Sequence, residues 1–93
     1  MEFEWDAKKA DENLKKHGVE FVEAATVFDD PLSITVPDPD HSEMENRFLI
    51  IGYSNRFRPI IVSHTDRQGR VRIIGARQLT TVERHDYEEE RDT

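Results

Sequence analysis

Apolar residues recur at helical spacing in the first third of the chain and at strand spacing in the middle. Between Asp6 and Gly18, the run AKKADENLKKH sets Ala7, Ala10 and Leu14 three and four residues apart. That spacing is a narrow apolar stripe on an otherwise charged helix. Asp6 reads as its N-cap and Gly18 as its C-terminal stop. Lys15, Lys16 and His17 fall in the last turn, where the helix dipole favours cations. A second helix is expected from Phe21 to Phe28, because Phe21, Ala24, Ala25 and Phe28 share a face at i, i+3, i+4 and i+7. Asp29, Asp30 and Pro31 end it. Residues 32–36, LSITV, read as a short strand, and PDPDHSEMEN as an exposed loop.

Three β-branched runs follow, FLIIGYS (48–54), PIIVSHT (59–65) and RVRIIGA (70–76). The loops NRFR and DRQG between them fit antiparallel hairpins. Symmetric closure would pair Ser54 with Pro59 and Thr65 with Arg70. One face would then carry Leu49, Ile51, Tyr53, Ile60, Val62, His64, Val71 and Ile73; the other would carry Phe48, Ile50, Ile61, Ser63, Arg72 and Ile74. Both faces are apolar at the centre, so other elements must cover part of each. A last helix begins near Thr80 or Thr81, with Glu83 completing an approximate capping box. Its amphipathic part is Val82 to Tyr87, and the EEE beyond is expected to fray. The pattern describes one α+β domain over residues 1–93: two N-terminal helices, a mainly antiparallel four-stranded sheet and a C-terminal helix.

Charge changes this picture. The chain carries a formal −7, but residues 47–77 hold seven arginines against one acid, Asp66. The local sums are −9 for residues 1–46, +6 for 47–77 and −4 for 78–93. Polyanions respond to patches rather than to total charge, so the basic middle is compatible with a nucleic-acid partner. The alternative is that these arginines are solvated or paired with the acidic flanks. The absence of cysteine excludes disulfides and thiolate chemistry. No apolar run approaches the roughly 20 residues that span a bilayer, and MEFEWD lacks a signal-peptide shape, so a cytoplasmic protein is the expectation.

Candidate chemistry narrows by elimination. No G-x-S-x-G elbow is present. The histidines at 17, 41, 64 and 85 have no metal-ligand spacing, the acidic loop lacks the mid-loop Gly of a Ca²⁺ site, and no glycine-rich phosphate loop exists; no metal or cofactor is expected. An Arg/Lys/His set remains, and RNA cleavage needs no cofactor. A base removes the 2′-OH proton, an acid protonates the leaving 5′-oxygen, and cations stabilise the transition state. Arginine suits the last role because its planar fork meets two phosphate oxygens. His64 and Arg77 share side-chain parity in a regular ladder, with Arg72 pointing the other way. A bulge at Gly75 would instead bring Arg77 to the Arg72 face. Structural roles compete with each assignment: a half-buried His64 bonded to backbone, a solvated Arg72, and Arg84 and Tyr87 in helix–sheet packing.

Three stretches carry a resemblance: FEWDAKKADENLKKHGVEFVEAATVFDDP, VSHT, and RVRIIGARQLTTVERHDYEEE. With the motifs W-D-x-x-K, K-H-G, E-A-x-x-V-F-x-D-P and A-R…E-R-x-x-Y, they resemble the BrnT toxins of BrnT–BrnA type II toxin–antitoxin pairs over nearly the whole chain. The resemblance implies a RelE-like fold and a cytoplasmic ribonuclease that inhibits translation. It also implies a cognate BrnA-like antitoxin and promoter DNA bound only through the toxin–antitoxin complex. Trp5 opens the W-D-x-x-K motif and Lys8 lies within it, and Lys16, His17 and Gly18 stand in K-H-G. Arg77 stands after the third long strand, and Glu83, Arg84 and Tyr87 in the last-helix motif. Taken with the residue reading, the expected catalytic set is His64, Arg72, Arg77, His17 and Lys8. The expected RNA-binding set is Lys16, Arg58, Arg70, Arg84 and Tyr87. The competing function is a catalytically degenerate relative that only binds a protein partner.

Overall fold

The computed structural model describes residues 1–40 and 46–91. Helix α1 spans Ala7–His17 between the two expected caps. The Asp6 carboxylate accepts the Lys9 N–H at 2.9 Å. Gly18 takes φ +69° and donates its N–H to the Leu14 carbonyl at 2.9 Å. That left-handed end is where glycine avoids a Cβ penalty. The second helix is shorter than its apolar pattern suggested. Helix α2 covers Phe21–Thr26, and Val27–Asp29 tighten into a 3₁₀ turn. The cause lies in Asp30, whose carboxylate accepts the N–H groups of Leu32 and Tyr53 and turns the chain toward the sheet.

The strands are β1 (Phe3–Glu4), β2 (Ile34–Pro37), β3 (Arg47–Tyr53), β4 (Pro59–Arg67) and β5 (Arg70–Gln78). They form one sheet in the order β1-β5-β4-β3-β2. The expected four strands are joined by a fifth, since β1 pairs parallel with β5 at Phe3–Val71 and Glu4–Arg72. Two residues are too few to show a periodicity, so pattern alone passes over them. All other pairings are antiparallel. The expected loop over 37–46 lies partly outside the described residues, including His41.

Two registers differ from symmetric closure. The β3–β4 hairpin closes at Tyr53–Pro59, not Ser54–Pro59. Ser54 instead opposes Arg58, whose carbonyl accepts the Ser54 N–H at 2.9 Å, while the Ser54 hydroxyl donates to Glu23 at 2.6 Å. A one-residue slip moves every side chain of a strand to the other face. Ile50 and Gly52 therefore join Ile60, Val62 and His64 inside, while Leu49, Ile51 and Tyr53 face outward. The β4–β5 hairpin closes two residues later than expected, at Arg67–Arg70. Gln68 and Gly69 form its turn with φ of 54° and 78°. Two left-handed residues give the turn twist that matches the strands.

The core lies on the inner face. Val19, Phe21, Ala24 and Val27 pack on Ile50, Ile60, Val62, Ile73 and Ala76. Each fully buried aliphatic side chain there contributes about 1.5–3 kcal/mol relative to exposure. Helix α3 (Thr81–Arg91) crosses the outer face. It does not fray after Tyr87. Arg91 grips Asp30 at 2.8 and 3.1 Å and sits over the Tyr53 and Tyr87 rings. Tyr87 is buried and donates to the Leu32 carbonyl at 3.1 Å. An apolar recess under α3 is lined by Ile34, Ile51, Ile61, Leu79 and Tyr87.

Candidate active site

A bulge in β5 arranges the charged side chains. Ser63 faces Gly75 and His64 faces Ile73, so Ile74 is the extra residue. Beyond it the parity of β5 reverses. Arg72 lies opposite Thr65 and Arg77 opposite Ile61, two positions of equal parity on β4. Both arginines therefore emerge on the outer face. The two sites are four strand residues apart, roughly 13 Å.

Helix α1 supplies the next wall. Beyond the short β1, the outer edge of β5 is covered by the Asn13 side chain. Its amide donates to the carbonyls of Ala76 and Val19, both at 2.9 Å, and its oxygen accepts the Ala76 N–H at 3.1 Å. Asn13 thus satisfies both backbone groups of Ala76, as another strand would. Lys9, Asn13 and His17 recur every four residues and so lie on one stripe of α1. The stripe brings His17 to the cleft that Arg77 also lines. A cleft of about 290 Å³ is lined by His17, Arg77, Ser63, Gly75 and Leu49, with Asp38 and Asp40. A second depression, about 380 Å³, lies farther along β4 and is lined by Lys9, Arg47, Arg67 and Arg72 around Thr65 and Asp66.

Arg77 is held in place. Its Nη1 and Nη2 donate to the two Glu83 oxygens at 2.8 and 3.0 Å. Glu83 also accepts the Thr80 N–H at 2.9 Å and donates its own N–H to the Thr80 hydroxyl, which completes the capping box. The Arg77 bonds, reinforced by the Thr80 N–H, hold the Glu83 carboxyl at about 2. Glu83 is therefore ionised and a weak base near neutrality. The same contact raises the pKa of Arg77.

The bulge that unites Arg72 and Arg77 separates Arg77 from His64. His64 is 5% exposed and lies on the inner face. Phe28 meets its ring edge-on at 4.8 Å between centroids, and Phe48 stacks at 5.9 Å. Neither ring nitrogen has a hydrogen-bond partner among the described residues. Burial pushes its pKa down, so the ring is neutral. Its expected parity with Arg77 does not hold, and the protein interior separates it from the cleft.

The remaining candidates divide by partner. Lys8 and Lys16 are exposed on α1 and line neither depression. Arg72 binds Glu4 at 2.8 Å beside the second depression. Arg70 pairs with Glu2 at the sheet edge. Arg58 is committed to structure. It grips the buried Glu23 through two nitrogens and donates to the Gly18 carbonyl, locking the β3–β4 hairpin onto α2. The Arg58 bonds also lower the Glu23 pKa. Arg84 pairs with Glu88, and Tyr87 packs α3. Asn13, Lys9 and Glu83 were not among the expected site residues. The signals were at hand: Lys9 ends the W-D-x-x-K motif, Glu83 opens E-R-x-x-Y, and 9, 13 and 17 recur at i, i+4. Among the described residues, the one group of three potential cation ligands within 4.8 Å of one another is His85, Asp86 and Glu89, all exposed on α3.

A family model described as "Ribonuclease toxin, BrnT, of type II toxin-antitoxin system" matches residues 5–91. The chain belongs to this family. The crystal structure of the Brucella abortus ribonuclease toxin BrnT superposes with a TM-score of 0.69 at 21% identity, covering 87% of this chain and 99% of that one. The common fold is an α+β one, here with five strands and three helices. A search of curated proteins finds no significant match. As a BrnT family member, the chain is an endoribonuclease toxin, and the family's type II systems pair each toxin with an antitoxin. Among the described residues, no helix is long and apolar enough to cross a membrane.

Proposed function

We propose that this BrnT toxin cuts RNA on the outer sheet face without a metal, using the His17–Arg77 cleft, and thereby blocks translation in the cytoplasm. Arg77 binds the scissile phosphate and stabilises the charge that develops on it. His17 moves a proton, since an imidazole can accept or donate one near neutrality. Arg72, Arg47, Arg67 and Lys9 hold the neighbouring stretch of RNA backbone by charge, without reading its sequence. Lys8 and Lys16 add to the field that draws the polyanion in. The antitoxin covers the same face, and promoter DNA is reached only through the complex.

The observation that carries this reading is the Ile74 bulge, which sets Arg72 and Arg77 on one face beside the Lys9–Asn13–His17 stripe of α1. The test is inducible expression of wild type, Arg77→Ala and His17→Ala, scored by growth and by RNA integrity. Arg77→Ala should abolish toxicity and leave folding stability within about 1–2 kcal/mol. A folded Arg77→Ala protein that stays fully toxic removes Arg77 from the site. Wild type that leaves RNA intact yet still binds its antitoxin would favour a module that only binds.

A further inference from the structure

The Arg77–Glu83 pair poses a question that the active-site reading leaves open. A carboxylate on an arginine meant for phosphate looks like a competitor. The atoms engaged indicate otherwise. A guanidinium has five N–H donors. Glu83 takes one from Nη1 and one from Nη2, the end-on fork. The second Nη1 hydrogen goes to the Gln78 carbonyl at 3.3 Å. The Nε–H and the second Nη2–H remain, with no partner among the described residues. These two lie on the same edge of the plane, parallel to each other. That edge is the side-on fork, which matches two oxygens of a phosphate. We propose that Glu83 is a positioning residue: it clamps the Arg77 guanidinium end-on so that the Nε–Nη2 edge stands fixed and free for the scissile phosphate.

The inference rests on the reading of the Arg77 cleft as the active site. Its physical content is preorganisation. An unpaired arginine at a strand end samples many rotamers and must be ordered during the reaction. Donors already fixed need no reorganisation when charge develops. Glu83 can serve as the clamp because it is fixed in turn by the Thr80 N–H. The pair is close to neutral overall, so Arg77 acts through directed N–H groups more than through net charge. Arg72 is likewise paired, with Glu4, so long-range attraction of RNA rests more on Lys9 and Arg67.

Three substitutions test this with a quenched single-stranded oligoribonucleotide of mixed sequence as substrate. Glu83→Gln keeps the shape and an oxygen for the Thr80 N–H, but turns an NH₂ group toward Nη2. Its thermal midpoint should stay near wild type. Its kcat should fall about 10- to 100-fold, the scale of a roughly 1 Å misplacement. KM should change by no more than about twofold, because an orientation effect acts in the transition state. Arg77→Lys should keep the ion pair and the fold yet lose cleavage, because a lysine has no second edge. In the Arg77→Ala background, Glu83→Gln should cost nothing further. An inactive Arg77→Ala beside a Glu83→Gln as fast as wild type overturns the positioning role alone. A fully active Arg77→Ala overturns the active-site reading and the positioning role with it. If Glu83→Gln fails to fold, Arg77→Lys decides: wild-type cleavage overturns the edge argument, and folded but inactive protein supports it.

Discussion

Replacing Asp30 by Asn removes the charge on which the C-terminal helix is anchored. The Asp30 side chain is 5% exposed. Its Oδ1 accepts the Leu32 N–H at 3.0 Å and Arg91 Nη2 at 3.1 Å. Its Oδ2 accepts the Tyr53 N–H and Arg91 Nη1, both at 2.8 Å. Burial alone would raise the pKa. The Arg91 hydrogen bonds and the two backbone donors outweigh it and hold the carboxyl at about 2, against an ordinary 3.8. A folded pKa below the unfolded one means stability that is complete above pH 3.8. It is lost as pH falls toward 2. At about 1.36 kcal/mol per pH unit, the gap is worth ~2.5 kcal/mol. Asp30→Asn should therefore lower the urea-unfolding free energy by about 2–2.5 kcal/mol at pH 7, and the deficit should shrink to near zero by about pH 2. The difference between variant and wild type is the quantity to plot, because Glu23 and Glu83 also have lowered pKa values and titrate in both proteins. Equal stabilities at pH 7, or a deficit that does not change with pH, would refute the argument. Either result would mean that α3 is not held at Arg91 and frays as its acidic composition suggests.

Two further outcomes follow from buried and strained positions. His64→Leu should leave RNA cleavage intact and fold as stably as wild type at pH 7.5. The buried His64 has a lowered pKa, so the unfolded chain binds its proton first; wild type should lose stability as pH drops below about 6.5, and the variant should lack that component in urea midpoints at pH 7.5 and 5. Phe57 is 86% exposed at φ 61°, a left-handed backbone that a glycine adopts without strain. Phe57→Gly should stabilise the hairpin by about 0.5–1 kcal/mol net of the glycine's unfolded-state entropy, read as a higher thermal midpoint; a lower midpoint would show that the exposed ring makes stabilising contacts.

Helix α1 was legible residue by residue because its determinants are local. Asp6, Gly18 and the 7–10–14 stripe lie within one element, and each acts within a turn of itself. The three long strands were legible for the same reason, since β-branched runs and hairpin loops are short-range signals. Family resemblance added the order of the elements and the motif around Arg77. What chain-local signals left open was decided by groups far apart in sequence. Ser54 opposes Arg58 with its hydroxyl on Glu23, and that register buries Ile50 and Gly52 on the inner face of β3. The bulge at Ile74 turns Arg77 away from His64 and toward Arg72. An unbroken apolar run over both faces is compatible with either parity. Asn13 reaches Ala76 across 63 positions. Arg91 reaches Asp30 across 61. A polar side chain with no local partner carries no record of which backbone it will satisfy. Of these, the Asn13–Ala76 bonds and the bulge shape the His17–Arg77 cleft; His17 and Arg77 stood out in the sequence as residue types, while the face they share came from the packed sheet.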